Sequence, residues 1–334
     1  MQRILVTGSS GFIGSHLGLA LSRLGHEVVG LDQRPPSIPN VRSIQADANC
    51  WALSSQEQFD TVVHLAAYWS YEITPSCWQS AQRNNVDMTK SLWDFAKRTG
   101  AKRFVFASSL EAVNLQGIIS EATEPTQSRH HPYAWSKSAS EQFFARQADG
   151  PATSIVRLSG VFSDWCELPP LAWLFDRWSS RWPTGHVIAG RGVTGMPYLH
   201  VGDVCAALRN VIEGEPRKQT LMVMPSKTSR HIDLFPPIRQ GLGLSAWHLS
   251  LPVACVAPAM RMEKLFWKTP EQPWMLKLID QPIQVDQSKT ELLINWTPSP
   301  ALSLEAKLPE LLERFRQPEW RVRQANRAAH SYVY

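Results

Sequence analysis

The sequence has 334 residues, of which 43% are hydrophobic and 19% charged, a composition that suits a globular protein with a large core and argues against a disordered chain. The formal net charge of +5 is modest and no run of Lys or Arg accompanies it, so we expect no nucleic-acid partner. Five scattered cysteines without a Cys-x-x-Cys pair argue against a disulfide framework or a zinc site, and we expect no metal.

The first predicted strand, Arg3–Thr7, leads directly into a glycine-rich turn. Gly8, Gly11 and Gly14 are spaced three residues apart, and apolar residues at helical spacing follow them. Glycine lets the backbone turn tightly and approach a phosphate closely, and a helix N-terminus supplies free N–H groups. We therefore predict a pyrophosphate site here, although the spacing differs from the usual G-x-G-x-x-G. Because the first apolar run is already a strand, we expect no leader peptide and a cytoplasmic protein.

Acidic residues follow the next segments of the chain. Asp32 closes the second predicted strand, Glu27–Leu31, where a carboxylate can accept hydrogen bonds from an adenosine ribose and repel a 2′-phosphate. This position favours NAD over NADP. Arg34 leaves the alternative open, because an arginine there can accommodate that phosphate. Asp47 either faces the adenine or lies in a surface loop.

Strand-like and helix-like segments alternate over the first 160 residues. The further predicted strands are Thr61–Ala66, Arg103–Ala107 and Thr153–Leu158, and the predicted helices are Ser15–Leu24, Asn84–Thr99 and Tyr133–Ala148. Such alternation predicts a parallel sheet with helices on both faces. We therefore predict an α/β fold, with a doubly wound parallel sheet and a smaller C-terminal substrate lobe.

The character of the sequence changes after Gly160, where prolines, tryptophans and irregular spacing become common. A helix is predicted from Asp203, with that residue as its N-cap. The tryptophans predict a thick aromatic core, and an apolar substrate site or a membrane-facing edge are the alternatives. We assign residues 1–160 to a nucleotide-binding domain to which 184–225 add a strand and a helix, residues 161–183 and 226–320 to a substrate lobe, and residues 321–334 to a basic tail.

Tyr133 and Lys137 form a Tyr-x-x-x-Lys pair on a predicted helix. Residues at i and i+4 share one helical face, so the lysine cation would stabilise a phenolate whose ordinary pKa is about 10. Tyr133 is therefore a candidate general acid/base. Ser109, at the end of a predicted strand, could bind the substrate oxygen and steady Tyr133, and Glu111 could act as an extra general base.

Together these elements resemble the extended short-chain dehydrogenase/reductases, also called the NAD-dependent epimerase/dehydratase family, which have a Rossmann fold. The resemblance covers about residues 1–215 and rests on Thr7–Gly14, Asp32, His64–Ala67, Asn85-Val86, Ser108-Ser109, Tyr133–Lys137, Arg157 and Leu199–Asp203. It implies NAD as cofactor and a catalytic triad of Ser109, Tyr133 and Lys137. The implied cofactor site comprises Gly8, Gly11, Phe12, Ile13, Gly14, Asp32, Leu65, Ala66 and Ala67. Tyr133 and Lys137 also belong to it, and Asp47 is a further candidate. Asn85 resembles the helix asparagine that supports the active-site backbone.

The resemblance also implies a reaction at a secondary alcohol carbon of a sugar or nucleotide sugar. Arg157 and Arg191 are the candidate cations for a substrate diphosphate, and Asp164, beside aromatic residues at the start of the substrate lobe, is a further candidate contact. Dehydratases of the family carry an acidic pair after the catalytic hydroxyl, but here Leu110 precedes Glu111, so redox chemistry or epimerisation is expected over elimination. A 3β-hydroxysteroid dehydrogenase-like reaction on a less polar alcohol is the alternative. A second alternative is a non-catalytic protein that senses NAD(P).

The family pairs two of its helices into a dimeric bundle. The resemblance therefore implies a homodimer through helices near residues 84–99 and 133–148. Their aromatic residues look exposed in the sequence, although packing in the core explains the same residues: Trp93, Phe95, Phe143 and Phe144. Peripheral membrane contact through the tryptophan-rich lobe or the tail is a further hypothesis.

Overall fold

The computed structural model describes residues 1–70, 72–126, 129–193, 195–256, 258 and 283–323. Its strands are β1 Arg3–Thr7, β2 Glu27–Asp32, β3 Arg42–Gln45, β4 Thr61–His64, β5 Arg103–Ser109, β6 Ile118–Ile119, β7 Ala152–Leu158, β8 Gly160–Phe162, β9 Val187–Ala189, β10 Gly195–Met196, β11 Tyr198–His200, β12 Gln219–Val223, β13 Ser229–Arg230, β14 Leu249–Leu251 and β15 Gln284–Val285. Its α-helices are α1 Phe12–Arg23, α2 Ala48–Ser54, α3 Pro75–Ala81, α4 Met88–Arg98, α5 Pro132–Ala145, α6 Pro169–Trp178, α7 Val201–Glu213, α8 His231–Gly241, α9 Ser288–Ile294 and α10 Leu304–Phe315.

Seven strands form one parallel sheet in the order β12-β7-β5-β4-β1-β2-β3. The strand β1 pairs with β2 on one side and with β4 on the other, so the chain reverses its direction of winding at this point. In open α/β sheets ligands bind at the carboxyl ends of the strands beside such a switch point. The predicted α/β, doubly wound fold is confirmed, and the crevice lies beyond the ends of β1 and β4.

Helices cover both faces of the sheet because its strands are apolar on both sides. On one face, α1 and α7 pack on the sheet through residues such as Leu17 and Leu208. On the other, α2, α4 and α5 do so through Ala52, Phe95 and Phe144. These contacts hold α1 and α5 in place against the central strands of the sheet.

A second apolar core lies in the C-terminal lobe. There α6, α8 and α10 pack around Phe175, Phe235 and Trp320. Trp178 is buried in the same cluster, which supports the predicted aromatic core, whereas Trp182 and Trp247 are 77% and 60% exposed. Among the described residues, no helix is long and apolar enough to cross a membrane. The predicted tail beyond residue 323 lies outside the described residues.

Several local predictions need correction. The predicted helix Asn84–Thr99 is the second half of a longer helical segment, in which a π-helix over Gln82–Asp87 joins α3 to α4. The N-cap of α7 is His200, whose side chain accepts from the N–H of Gly202, so the assignment of that cap to Asp203 is wrong. Asp203 instead accepts from the Ser299 N–H, at 3.1 Å.

The aromatic residues proposed for a dimer surface are mostly core residues. Trp93 on α4 donates from its indole N–H to the Thr153 hydroxyl. Phe95 on the same helix and Phe144 on α5 are at most 1% exposed. The expectation that these side chains are exposed is therefore wrong, because both helices turn their aromatic face towards the sheet. Phe143 is the partly buried exception.

Candidate active site

The glycine turn after β1 is built so tightly that side chains are excluded at two positions. Gly8 has a φ of +69°, and a Cβ there would lie 2.8 Å from the Ala66 nitrogen. A Cβ on Gly14 would lie 2.1 Å from the Gly8 carbonyl oxygen. Contacts under 3 Å to backbone cannot be relieved by a side-chain rotation, so both positions require glycine. The turn brings the N-terminus of α1 to the carboxyl end of β1.

Gly11 is the N-cap of α1 and has no side chain with which to cap it. The helix dipole favours an anion at this N-terminus. Phe12 and Ile13 open the helix and pack partly against the core. The excluded side chains, the uncapped helix and the switch point together fit a dinucleotide pyrophosphate.

Asp32 ends β2 beside this turn. One of its oxygens accepts from the Ser10 N–H at 3.0 Å, and the other accepts from the Arg34 N–H at 2.9 Å. The Arg34 guanidinium also lies 3.3 Å from the carboxylate. The carboxylate is thus fixed where an adenosine ribose would be bound, and it holds the arginine that could otherwise bind a 2′-phosphate.

Asp47 follows β3 and caps α2, where it accepts from the Asn49 N–H at 2.8 Å. Its carboxylate is 3.9 Å from the Arg83 guanidinium. This capping role accounts for the residue without a ligand. Contact of Asp47 with an adenine stays a prediction.

The segment Leu65–Ala67 follows β4 and passes close to Gly8. His64, at the end of β4, supports this segment, and the sequence alone assigns it no role of its own. The Ala66 N–H donates to the Thr7 hydroxyl at 3.3 Å, and that hydroxyl lies 2.8 Å from Nδ1 of His64. Nε2 of His64 lies 3.0 Å from the Thr89 hydroxyl. Either neutral tautomer of His64 satisfies both contacts, because each threonine hydroxyl can donate or accept.

His64 is neutral in this setting. Burial, with the charge of Lys137 as a smaller cause, lowers the pKa of His64 to about 3. His64 opens the segment His64–Ala67, which carries part of the family resemblance, but that resemblance assigned no role to the histidine itself. Its function here is to hold the floor of the crevice through two threonine hydroxyls.

Ser109, Tyr133 and Lys137 meet at the carboxyl end of β5. The Ser109 side chain lies close enough to the Tyr133 phenol to lower its pKa. The Lys137 ammonium donates to the Ala107 carbonyl at 2.6 Å and lies 5.5 Å from the centre of the Tyr133 ring. The packing of α5 on β5 thus brings together the three residues predicted as a triad.

The protonation of this group differs from expectation in one respect. Burial raises the pKa of Tyr133 above its ordinary value, the charge of Glu111 raises it further, and the Ser109 hydrogen bond only partly opposes both. The expected lowering by Lys137 is not found, because the ammonium is directed at the Ala107 carbonyl rather than at the phenol oxygen. Burial also lowers the pKa of Lys137 to about 7, against the raising influence of Glu141.

Glu111 stands next to this group. Its N–H donates to the Ser109 hydroxyl at 3.1 Å, and burial raises its pKa to about 7. A carboxyl with that pKa can hold or release a proton near neutrality. The part of Glu111 as an extra acid/base stays a prediction.

Asn85 ties the two walls of the site together. It lies in the π-helix, and its amide bonds to both backbone polar groups of Tyr68, at 2.6 and 2.9 Å. The same amide donates to the Ser136 hydroxyl at 2.8 Å. Because Ser136 lies beside Lys137 on α5, Asn85 couples the segment after β4 to the Tyr133 helix.

Of the predicted substrate contacts, Arg157 is wrong. Its guanidinium is buried on β7 and bonds to the carboxylate of Glu141 at 2.7 Å, so it is out of reach of a substrate phosphate. Asp164 is bonded to Lys307 at 2.7 Å and to His200 at 3.2 Å, which joins the residues after β8 to α10. Arg191 is exposed just after β9. Substrate contact of Asp164 and Arg191 stays a prediction.

No group of three or more His, Cys, Asp or Glu side chains that could hold a metal is found within the described ranges. The cysteines there are free thiols.

Comparison with known proteins agrees with this geometry. Residues 4–222 match the model of the NAD dependent epimerase/dehydratase family. A 3β-hydroxysteroid dehydrogenase/Δ5→4-isomerase of Mycobacterium tuberculosis is 31% identical over 182 residues, which are 49% of this chain and 48% of that protein. A UDP-glucose 4-epimerase of Neisseria meningitidis serogroup C is 29% identical over 178 residues, 47% of this chain and 52% of that protein. The chain therefore spans about half the length of these relatives.

Solved structures show the same fold over almost the whole chain. The UDP-glucuronic acid 4-epimerase of Bacillus cereus, solved with NAD, has a TM-score of 0.69 at 20% identity and covers 94% of this chain and 99% of its own. A short-chain dehydrogenase/reductase superfamily protein of Agrobacterium tumefaciens, solved with bound NAD, has a TM-score of 0.72 at 19% identity and covers 97% and 99%. The predicted family is confirmed, and with it the predicted cofactor, NAD. The chain belongs to the NAD dependent epimerase/dehydratase family.

Proposed function

We propose that this protein is an enzyme that transfers a hydride between NAD and a secondary alcohol carbon, with Tyr133 as the general acid/base. The observation that carries the proposal is the meeting of Ser109, Tyr133 and Lys137 at the end of β5, beside the glycine turn. Bound NAD supplies the hydride acceptor or donor. Tyr133 takes or gives the proton of the substrate hydroxyl, and Ser109 holds the substrate oxygen.

The raised pKa of Tyr133 bears on the direction of reaction. At neutral pH its phenol is protonated, which suits proton donation to a carbonyl that is being reduced. Oxidation of an alcohol needs the phenolate and is therefore expected to speed up as the pH rises.

The first substrate candidate is a less polar secondary alcohol. Burial of Arg157 against Glu141 removes a cation that was expected to contact a nucleotide diphosphate. The segment before β11, Gly195-Met196-Pro197-Tyr198, carries no cation either. The relatives named as 3β-hydroxysteroid dehydrogenases support this class of substrate.

A nucleotide sugar, with epimerisation as the outcome, is the second candidate. It is favoured by Arg191, an exposed cation just after β9, and by the structural likeness to a UDP-glucuronic acid 4-epimerase. In that case the ketone is reduced on its opposite face before it leaves.

The test is a turnover assay of the full chain with NAD(H), on hydroxysteroid-like alcohols and ketones and on UDP-sugars. We expect turnover with one class, and loss of about 100-fold or more in kcat/KM for Tyr133→Phe, the lower end of what a general acid/base contributes. NADH titration is the control, because it separates a loss of chemistry from a loss of cofactor binding. Wild-type turnover by Tyr133→Phe would contradict the proposed chemistry. NADH binding without turnover on any substrate would favour the sensing alternative.

The homodimer, too, remains our proposal. With most of its aromatic residues buried, the surface that α4 and α5 leave for a second copy includes polar residues such as Lys90 and Asp94. Light scattering coupled to size exclusion tests it, with a dimer expected. A monomeric mass at assay concentrations would contradict it.

A further inference from the structure

Glu141 lies one helical turn after Lys137 on α5 and is anchored to the same strand. The Ser108 hydroxyl donates to its carboxylate, and Lys137 donates to the carbonyl of Ala107, the neighbouring residue. Both contacts come directly before Ser109 on β5. Two residues that are four apart on α5, Lys137 and Glu141, thus bond to two consecutive residues of β5, Ala107 and Ser108.

Arg157 on β7 closes this arrangement from the other side. Its Nη2 donates to one Glu141 oxygen at 2.7 Å, and its Nε lies 3.1 and 3.2 Å from the two oxygens. Each side chain of the pair is 2% exposed. A buried ion pair gains little or no stability over apolar packing, because both ions lose their hydration. Its position next to the proposed catalytic lysine suggests a different use.

We propose that Glu141 is a positioning residue, whose carboxylate, held by Arg157 and Ser108, favours the charged form of Lys137 inside the fold and keeps that side chain beside Tyr133. The inference rests on the proposed function for its catalytic meaning. Its electrostatic content, the dependence of the lysine charge on the buried pair, concerns only residues of this chain.

The charges around Lys137 can be enumerated for the elements packed there. Glu141 faces it from α5 with a negative charge, and Arg157 stands behind Glu141 on β7. His64 faces it from β4 but is neutral, because its pKa is about 3. Tyr133, on α5 itself, is protonated at neutral pH. Glu111, which follows Ser109 after β5, is buried with a pKa of about 7. Of the groups that stay charged near neutrality, Glu141 and Arg157 therefore influence how readily the buried ammonium keeps its proton.

Two substitutions break the same ion pair and leave opposite charges behind. Glu141→Gln leaves the guanidinium and is expected to lower the pKa of Lys137 by about one unit, a typical effect of a nearby charge. Arg157→Gln leaves the carboxylate and is expected to hold or raise that pKa. A purely structural pair would give both variants the same shift, or none.

The measurement is the pH titration of the Lys137 Cε resonance in ¹³C-lysine-labelled, ligand-free full-length protein, assigned with Lys137→Arg. A lowered pKa in Glu141→Gln together with no lowering in Arg157→Gln supports the proposal. An unchanged or raised pKa in Glu141→Gln, or an equal lowering in both variants, overturns it.

If the single variants fail to fold, the double variant Glu141→Gln/Arg157→Gln replaces them, because it removes both charges of the pair and leaves neither one buried alone. It is expected to titrate below the wild type, and an unchanged lysine would again overturn the inference. In the active enzyme, the alkaline limb of kcat/KM should follow the lysine titration. The resonance is measured without substrate. Absence of turnover would therefore contradict the proposed function, whereas the titration would still decide whether Glu141 acts on Lys137.

Discussion

The sheet half and the C-terminal lobe use charged side chains in different ways. At the sheet, Glu141 and Arg157 are 2% exposed and meet beside the proposed catalytic lysine. At the lobe, Asp164 and Lys307 are 35% and 18% exposed and join the residues after β8 to α10. Solvent screens the second pair and not the first. An ion pair of the same chemistry thus serves the proposed site electrostatics in one region and attachment of a helix in the other.

The largest expected effect comes from breaking the buried pair on one side only. Glu141→Leu leaves the Arg157 guanidinium buried without its partner, which should cost about 3–5 kcal/mol of unfolding free energy. Urea denaturation measures it. The matched control Glu141→Leu/Arg157→Met removes both charges and should regain most of the loss. A single variant within 1 kcal/mol of wild type, a margin typical of exposed pairs, would erase the contrast between the two regions.

The backbone of the sheet half can be tested with two glycines of nearly equal φ. Gly8 and Gly100 have φ of +69° and +76°, so alanine strains both, but only at Gly8 would the new Cβ meet another backbone, 2.8 Å from Ala66. We expect Gly8→Ala to weaken NADH binding at least about tenfold, or 1.4 kcal/mol, and Gly100→Ala to bind as wild type does. Fluorescence titration with NADH checks this, and equal binding by the two variants would show that the turn does not form the cradle.

A third ion pair, between Asp32 and Arg34, lies at the crevice itself and is expected to set the preference for NADH over NADPH. Asp32→Ala removes the ribose acceptor and frees the guanidinium for a 2′-phosphate. The ratio of NADPH to NADH affinity should rise by about tenfold, or 1.4 kcal/mol. Adding Arg34→Ala should abolish the gain. If NADPH binds the wild type more tightly than NADH does, this account of Asp32 fails.

The smallest effect is expected at the lobe. Burial raises the pKa of Asp164, but the Lys307 hydrogen bond and the charges of His200, Lys307 and Arg314 outweigh it, and the pKa is lowered overall. A lowered folded pKa adds stability above the unfolded value of about 3.9 and loses it as the pH falls. Asp164→Asn should cost only about 0–1 kcal/mol at pH 7 and still less below pH 4. Urea denaturation at the two pH values measures it, and a loss as large as that of Glu141→Leu would contradict the contrast.

Features carried by short spacings could be predicted from the sequence. The glycine turn, Asp32 and the Tyr133–Lys137 pair each depend on a few neighbouring residues and on general strand-to-helix geometry. Their positions around the switch point follow once the alternation of strands and helices is recognised. The predicted strand Arg3–Thr7 agrees with β1 to the residue.

Features that depend on distant pairing could not be predicted. Arg157 looked available because its partner, Glu141, lies on another element and the pairing is visible only in three dimensions. The strand β3 has only four residues and its burial is partial, so no periodic signal marks it. Asp203 resembles an N-cap locally, but the cap is His200, three residues earlier, whose side chain accepts from the Gly202 N–H. The π-helix around Asn85 has no sequence periodicity of its own.

The histidine under the crevice has a consequence for how the protein responds to acidity. Since His64 takes up a proton only near pH 3, the ground beneath the nicotinamide end of the proposed cofactor site keeps one charge state throughout the physiological range. Glu111 and Lys137, each with a pKa of about 7, straddle neutrality instead. A change from mildly acidic to mildly alkaline pH would therefore deprotonate Glu111 and Lys137 near the reacting oxygen. The charge of His64, which supports the segment after β4, would stay the same.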